Sequence, residues 1–431
     1  MSATFLEQTP TVHEQVVVGP GLWHGAKRVH LVKDRERDLC FEVGTKEAFL
    51  IARLDGTRTL ADLGACYTAE FGRRLDERNW AVLLRLLHER QLLAGRRLAD
   101  PREWADWRGG SGGDAGSDRS AGPGGSAGSD DPSRRRRLPL TGQVSLGDPT
   151  RLVRRLERWL SWCFRASVAV PAAVASAAMC VVLAAHIPLL LTEFHVLRGD
   201  PTMVLVALPP IWLAFAVHEI AHGVAARHYG GDATGIGIRW AFPFLYFYCQ
   251  TQDIRLFAAT RHRVATAAAG VWASLVLMLP LFAAWTVLPD TARSKDALGL
   301  VLGFTAAQGV FNLLPLPGLD GYRMLSHRLG VLNLSTESFR YVRLWFGRGP
   351  GKRSVIEAYP AALRRTYGGY AALVALLLGA GFAASCLLTL HVFPGLPGRL
   401  AVAVFTLAAA LQLAVKTGVV KTRERPTKEK A

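Results

Sequence analysis

The sequence predicts a mainly α, polytopic membrane protein with about six transmembrane helices, preceded by a small cytoplasmic α+β winged-helix-like domain. Three observations carry that expectation. Apolar runs at 166–191, 203–222, 264–288, 297–316, 367–392 and 399–415 are each near the roughly twenty residues that cross a bilayer as a helix. The segments 151–165, 223–263, 321–365 and 416–431 together hold twenty-five Lys/Arg, against four in 192–202, 289–296 and 391–399. Residues 108–133 (RGGSGGDAGSDRSAGPGGSAGSDDPS) set this region apart from a first hundred residues of globular composition.

That first domain, 1–100, reads as three strands then three helices. β-rich runs fall near 15–19, 28–32 and 39–43, the last two joined by the charged turn KDRERD. One helix starts after Thr45 with Ala48, Phe49, Ile51, Ala52 and Leu54 as its apolar positions. A second is capped by Thr59 and carries Leu60, Leu63 and Tyr67. The third is capped by Asp76 and carries Trp80, Leu83, Leu84, Leu87 and Leu92. Residues 101–150 follow as a Gly/Ser/Asp-rich linker and a basic segment opened by Arg134–Arg137. Such composition cannot bury a core and reads as a flexible tether. The membrane domain is expected over 151–418, with a charged tail at 419–431.

Charge sets the topology. An even number of spans puts both termini on one side, and the basic bias makes that side cytoplasmic. The formal net charge of +17 is then mostly a topology signal with some contact to anionic lipid. A nucleic-acid partner is not expected: residues 1–100 carry fifteen basic and fourteen acidic side chains, no footprint for phosphate. The first thirty residues lack an apolar signal core. Cysteines 40, 66, 163, 180, 249 and 386 are scattered without a Cys-x-x-Cys pair, so reduced thiols are expected.

The chemistry lies at 218–222, His-Glu-Ile-Ala-His, inside an apolar run of membrane-span length. Titratable groups in lipid cost several kcal/mol unless paired, hydrated or metal-bound. On a helix, positions i and i+4 share a face, so His218 and His222 can present ring nitrogens to one zinc ion, with Glu219 about 100° away and within reach of its open position. A hydrolytic zinc needs a third protein ligand. His228 would give His-x3-His-x5-His, but the glycine such a turn needs is displaced: Ala225 stands there. On a continuing helix His228 faces about 240° away, as an anchor of the helix end. Asp320 closes the segment NLLPLPGLDG (312–321). By itself it could cap a membrane helix or complete the metal site, and the topology puts it at the same depth as the histidine pair with one span between.

Two resemblances follow. Through GTKEAFLIARLDGTRTLADL (44–63), residues 15–95 resemble the PqqD-like domains that bind leader peptides of ribosomally made, post-translationally modified peptides. That resemblance implies a leader strand along Asp38–Val43 and against the third helix. Through HEIAHG and NLLPLPGLDG, residues 203–328 resemble the site-2 protease family of intramembrane zinc metallopeptidases. AARHYGG and LDGYRML are similar to the branch of peptide zinc metalloproteases. The resemblance implies zinc held by His218, His222 and Asp320, Glu219 as catalytic acid/base, and Asn312 orienting the substrate backbone. It also implies a hairpin after the zinc helix, here 233–250, which as residues alone reads equally as an interfacial aromatic belt. The chain departs from the family at Ala268-Ala269-Gly270-Val271, where Ala-Gly-Pro is common, and in lacking a PDZ or lipoyl-like adaptor domain.

The expected activity is therefore zinc-dependent hydrolysis of peptide bonds, with a precursor peptide as partner and leader removal as the outcome. Regulated cleavage of a membrane protein such as an anti-sigma factor, and a non-catalytic peptide-binding immunity or export role, stay open.

Overall fold

The computed structural model describes residues 3–94, 141–187, 201–241, 244–251, 253–347 and 352–392, with short pieces between 395 and 406. The chain divides into two compact units, 1–333 and 334–431.

The first unit begins with helix α1 (Ala3–Leu6) and strands β1 (Thr11–Val12), β2 (Val16–His24), β3 (Lys27–Asp34) and β4 (Leu39–Gly44). Helices α2 (Thr45–Ile51), α3 (Leu60–Phe71) and α4 (Glu77–Glu89) follow, then β5 (Leu93–Ala94). Strands β2, β3 and β4 form an antiparallel sheet in chain order, with the outer edge of β4 unpaired by any described strand. The charged turn closes on Asp34, whose carboxylate accepts from the amides of Glu36 and Arg37. Thr59 and Asp62 form a reciprocal capping box and Asp76 caps α4 through the Asn79 amide, as their positions before apolar runs require. Val32, Leu60, Leu63, Trp80, Leu84 and Leu87 fill the core. The α2 reading needs correction: Leu50 is buried on the helix, while the helix ends at Ile51, so that Ala52 faces out and the buried Leu54 lies beyond it. The structure also adds a β1–β5 pairing that clasps the start of the domain to its end.

The described part of the tether region does not all behave as linker. Residues 141–147, expected within the linker, form β6, which pairs with β7 (Ala233–Ala241); β7 in turn pairs with β8 (Phe244–Thr251). The segment 233–250 is thus a hairpin extended to three strands. Residues 108–133 lie outside the described residues. Helix α5 (Thr150–Leu160) buries Val153 against Val224 and Ala233 while exposing Leu152, Trp159 and a row of arginines, the pattern of an interfacial helix.

Among the described residues, four helices are long and apolar enough to cross a membrane: α6 (Ala166–Ala185), most of α7 (Pro201–His228), α8 (Thr260–Val287) and, in the second unit, most of α13 (Ala361–Val392). Helix α9 (Arg293–Asn312) overlaps the expected fourth span at 297–316 but starts four residues earlier and is not among these four, because Arg293, Lys295 and Asp296 in its first turn dilute its apolar character. The expected run at 399–415 lies mostly outside the described residues. Prolines 171, 209, 210 and 280 sit within continuous helices, as packed membrane helices tolerate. In unit 1 the buried residues of α6, α7, α8 and α9 share one core built around Met179, Ala214, Met278, Trp285 and Leu302. Helix α10 (Asp320–Leu329) closes this unit. The second unit holds α11 (Leu334–Phe346), α12 (Lys352–Glu357) and α13, with Tyr341, Tyr359 and Tyr367 in mutual ring contact.

The N-terminal domain is docked within the first unit. Leu22 and Leu31 share a cluster with Leu256 and Leu332, and Trp23 exchanges backbone hydrogen bonds with Gly330 and Leu332. Lys33, only 4 % exposed, donates to Asp253 at 2.6 Å and lies 2.8 Å from Asp38.

Candidate metal centre

Helix α7 carries His218 and His222 one turn apart, with both side chains buried against α8. Each imidazole has its δ nitrogen committed. His222 Nδ1 donates to the Thr266 carbonyl at 2.8 Å, and a carbonyl can only accept. Ser274 Oγ donates to the Gly270 carbonyl at 2.9 Å, leaving its lone pairs for His218 Nδ1 at 3.2 Å. With the protons so placed, both Nε2 atoms present lone pairs to the same space. That space holds Asp320 Oδ2, 2.8 Å from His218 Nε2 and 3.3 Å from His222 Nε2.

Two lone pairs and a carboxylate oxygen facing each other repel unless something positive sits among them. A proton or a metal ion would do. The ligand atoms of His218, His222 and Asp320 all lie within 4.8 Å of one another, and this group could hold a metal ion. His222 Nε2 is buried with no hydrogen-bond partner, as expected of a nitrogen reserved for an ion. Room is also kept. A Cβ on Gly270 would lie 2.5 Å from His222 Nε2 and 2.6 Å from His218 Nε2. Thr266, Gly270 and Ser274, spaced by four on α8, therefore form one stripe that orients both rings and leaves their inner nitrogens clear.

The loop after α9 delivers Asp320. Gly318 adopts φ +97°, a conformation natural to glycine. Gly321 lets the start of α10 lie against the Leu313 carbonyl, where a Cβ would clash at 2.0 Å. Burial alone would raise the Asp320 carboxyl, but positive charge on the facing His218 and His222 rings outweighs it and holds the group below the usual carboxylate range, which again calls for something positive among the three groups. Arg323 adds a contact to Oδ1 at 3.3 Å.

Glu219 is half-buried, and its Oε2 accepts from the Cys249 backbone N–H of β8 at 3.1 Å. Gly223 permits this approach: a Cβ there would sit 3.1 Å from Cys249 Sγ and 3.3 Å from Ala233. The Cys249 thiol is pushed up to about 12 by burial and then by the Glu219 charge, so it is no nucleophile at neutral pH.

The structure thus brings together His218, His222 and Asp320, and holds Glu219 beside them by β8. Asn312 ends α9 half-buried, eight residues before Asp320, and is not in the ligand cluster. His228 is elsewhere, stacked on Phe164 and bonded to Glu157 at 3.1 Å, an anchor of the helix end. The Thr266/Gly270/Ser274 stripe is the signal that the sequence analysis missed, legible as small and hydroxyl residues at helical spacing in an apolar run.

Beside His222 opens a cavity of about 500 Å³. Its wall combines Leu31, Lys33 and Cys40 of the N-terminal domain, Tyr248 to Thr251 of β8, Arg255, and Tyr322, Arg323, Ser326 and His327 of α10. A second groove of about 300 Å³ runs between Leu39, Cys40 and Phe41 of β4 and the end of α4.

No protein-family model matches the chain, and no curated protein or solved structure matches it significantly.

Proposed function

We propose that this protein is an intramembrane zinc endopeptidase of the site-2 protease kind, with six spans and both termini cytoplasmic, that matures a ribosomally made peptide by removing its leader. One observation carries the reading: two imidazole lone pairs and a carboxylate converge at 2.8 and 3.3 Å with a glutamate alongside. Zinc suits the donor set, since two imidazoles and one carboxylate favour it over the oxygen-seeking magnesium or calcium. When bound, zinc lowers the pKa of water and polarises a scissile carbonyl.

The chain's own groups supply the rest. Glu219 takes the proton from the attacking water and returns it to the leaving amine, its Oε2 steadied by the Cys249 amide. Thr266 and Ser274 hold the ring tautomers that the site needs. Asn312 orients the substrate backbone. A peptide bond is attacked as extended chain, and the unpaired outer edge of β8 offers it a strand partner. The open edge of β4 and its groove against α4 support leader recognition there. The N-terminal domain forms one wall of the cavity beside His222, and this favours a soluble precursor over a membrane protein as substrate.

The test is processing of a precursor peptide encoded beside this gene, using purified full-length protein with and without a chelator. Cleavage should require the metal and disappear in Glu219→Gln. Undiminished processing by that variant would falsify the general-base role.

A further inference from the structure

The cavity beside His222 carries charge of one sign. Lys33, Arg239, Arg255 and Arg323 line it, and among the described residues no aspartate or glutamate does. Part of this charge is already answered: Lys33 by Asp253 and Asp38, and Arg323 in part by Asp320. Arg239 bonds to Gln143 and lies over the Tyr248 ring, which leaves its charge without a counter-ion in those contacts. Arg255 is exposed on the cavity wall.

Two further observations show that the field is not cancelled. Arg263, 4 % exposed, donates from Nη2 to Thr260, while its buried Nε and Nη1 have no partner. A guanidinium buried without its donors answered is a cost to the fold. His327, in the cavity wall, is pushed down to about 4 by burial and then by the charges of Arg255, Arg263 and Arg323. Three guanidinium groups therefore bear on one imidazole.

We infer that this cavity is the specificity pocket for an acidic side chain of the substrate peptide close to the scissile bond, with Arg255 as the principal specificity determinant. The inference rests on the peptidase reading for the nature of the ligand. A carboxylate there would answer Arg255 directly and lower the mutual repulsion of the Arg255, Arg263 and Arg323 charges that bear on His327. Both His222 and Cys40 of β4 line the pocket, so an extended peptide passing between the domain and the candidate metal ligands meets it. Its volume lies within the range of ligand-binding pockets. An anionic lipid headgroup shares the carboxylate's charge. The location favours the peptide, because soluble-domain strands wall the cavity and open strand edges flank it.

The experiment separates this proposal from the peptidase reading by measuring binding. Zinc-loaded full-length Glu219→Gln protein in detergent is titrated with fluorescein-labelled peptides of identical sequence except for central Glu, Gln or Lys residues. The Glu peptide should bind roughly tenfold or more tightly than the Gln peptide, as for a contact to a charged group, and the Lys peptide more weakly still. Arg255→Glu should abolish or reverse that order, and added salt should narrow it. Equal binding of all three peptides, preference for Lys, or an unchanged order in Arg255→Glu would overturn the inference. So would displacement of the Glu peptide by phosphatidylglycerol but not by phosphatidylcholine, which would mark a lipid site. Cleavage of any of these peptides by wild-type protein reads the peptidase separately: absence of cleavage with the charge order intact sinks the peptidase and leaves the basic pocket standing.

Discussion

Gly270→Ala separates a metal centre from a well-packed helix, because the two views predict opposite signs. Within α8 an alanine is favoured over glycine by about 1 kcal/mol of helix propensity. A purely structural position would therefore gain stability, or change little. In this structure the added Cβ would lie 2.5 and 2.6 Å from the two Nε2 atoms that face Asp320. Carbon and nitrogen in contact need roughly 3.4 Å, so the rings must retreat by about 0.8–0.9 Å, several times the roughly 0.2 Å tolerance of a metal–ligand distance.

The rings cannot retreat freely, since Thr266 and Ser274 hold their δ nitrogens. Loss of partners that merely orient a ligand costs 10–100-fold in metal affinity. Direct obstruction of two ligands should cost at least about a hundredfold, or about 2.7 kcal/mol. The assay is competition for zinc with a chromophoric chelator on purified protein in detergent, paired with thermal melting in excess chelator. Weakened zinc binding, larger in free energy than any fall in the metal-free melting temperature, is the expected result. Zinc affinity equal to wild type would refute the assignment of the ligand nitrogens.

The remaining predictions address proton transfer, charge and docking. Glu219→Gln should keep zinc affinity within a few-fold and lower kcat by about 10²–10⁴-fold, the usual share of a general base; a fall in metal content instead would recast Glu219 as a ligand. His327 is neutral in the folded chain down to about pH 4, whereas an unfolded histidine takes up a proton near 6.5. The unfolded state then binds more protons between those values, so stability is full above about pH 6.5 and falls as pH drops toward 4, by at most about 3 kcal/mol. His327→Gln should flatten that slope in denaturant melts from pH 4 to 7; an unaltered slope removes His327 as its source. Lys33→Met leaves Asp253 buried with only Arg35, at 3.8 Å, as counter-charge. Hydrogen exchange at 22–33 and 253–256 should accelerate, with an upper bound of about 3–5 kcal/mol; no change there would mean that the leucine cluster alone docks the domain.

Much of the first domain was legible because its signals are local. Thr59 and Asp76 cap the helices they precede, and the apolar spacing of Leu60, Leu63, Trp80, Leu84 and Leu87 matches their burial. The cluster that could hold a metal ion was legible because His218 and His222 lie on one helix face and because Asp320 follows turn-forming prolines and glycine. What the residues did not disclose is long-range. Strand β6 pairs with β7 across some ninety residues, and short runs such as TGQVSLG carry no hydrophobic alternation strong enough to announce a strand. Lys33 reads as one charge among many in a turn-rich stretch, yet its partner Asp253 is 220 residues away. Gly270 was visible only as a departure from a family pattern, and its meaning depends on which rings face it.

Docking also changes what the linker can do. If residues 108–133 acted as a flexible tether, their composition would give a reach of roughly 25–30 Å, and the domain would search for peptide and raise its local concentration. Effective concentration falls about as the −3/2 power of linker length, so duplicating residues 108–133 should raise KM nearly threefold if the domain works as a tethered catcher. In the docked arrangement the distance from β4 to the metal ligands is set by the wall of a single cavity and by the Lys33–Asp253 ion pair. Linker length then drops out: the duplication leaves KM unchanged, and Lys33→Met, which loosens the wall without touching the linker, raises it. Steady-state cleavage of one precursor by both variants decides the matter. A KM that follows the linker and ignores Lys33 would show that substrate reaches the centre by search rather than through a preformed wall.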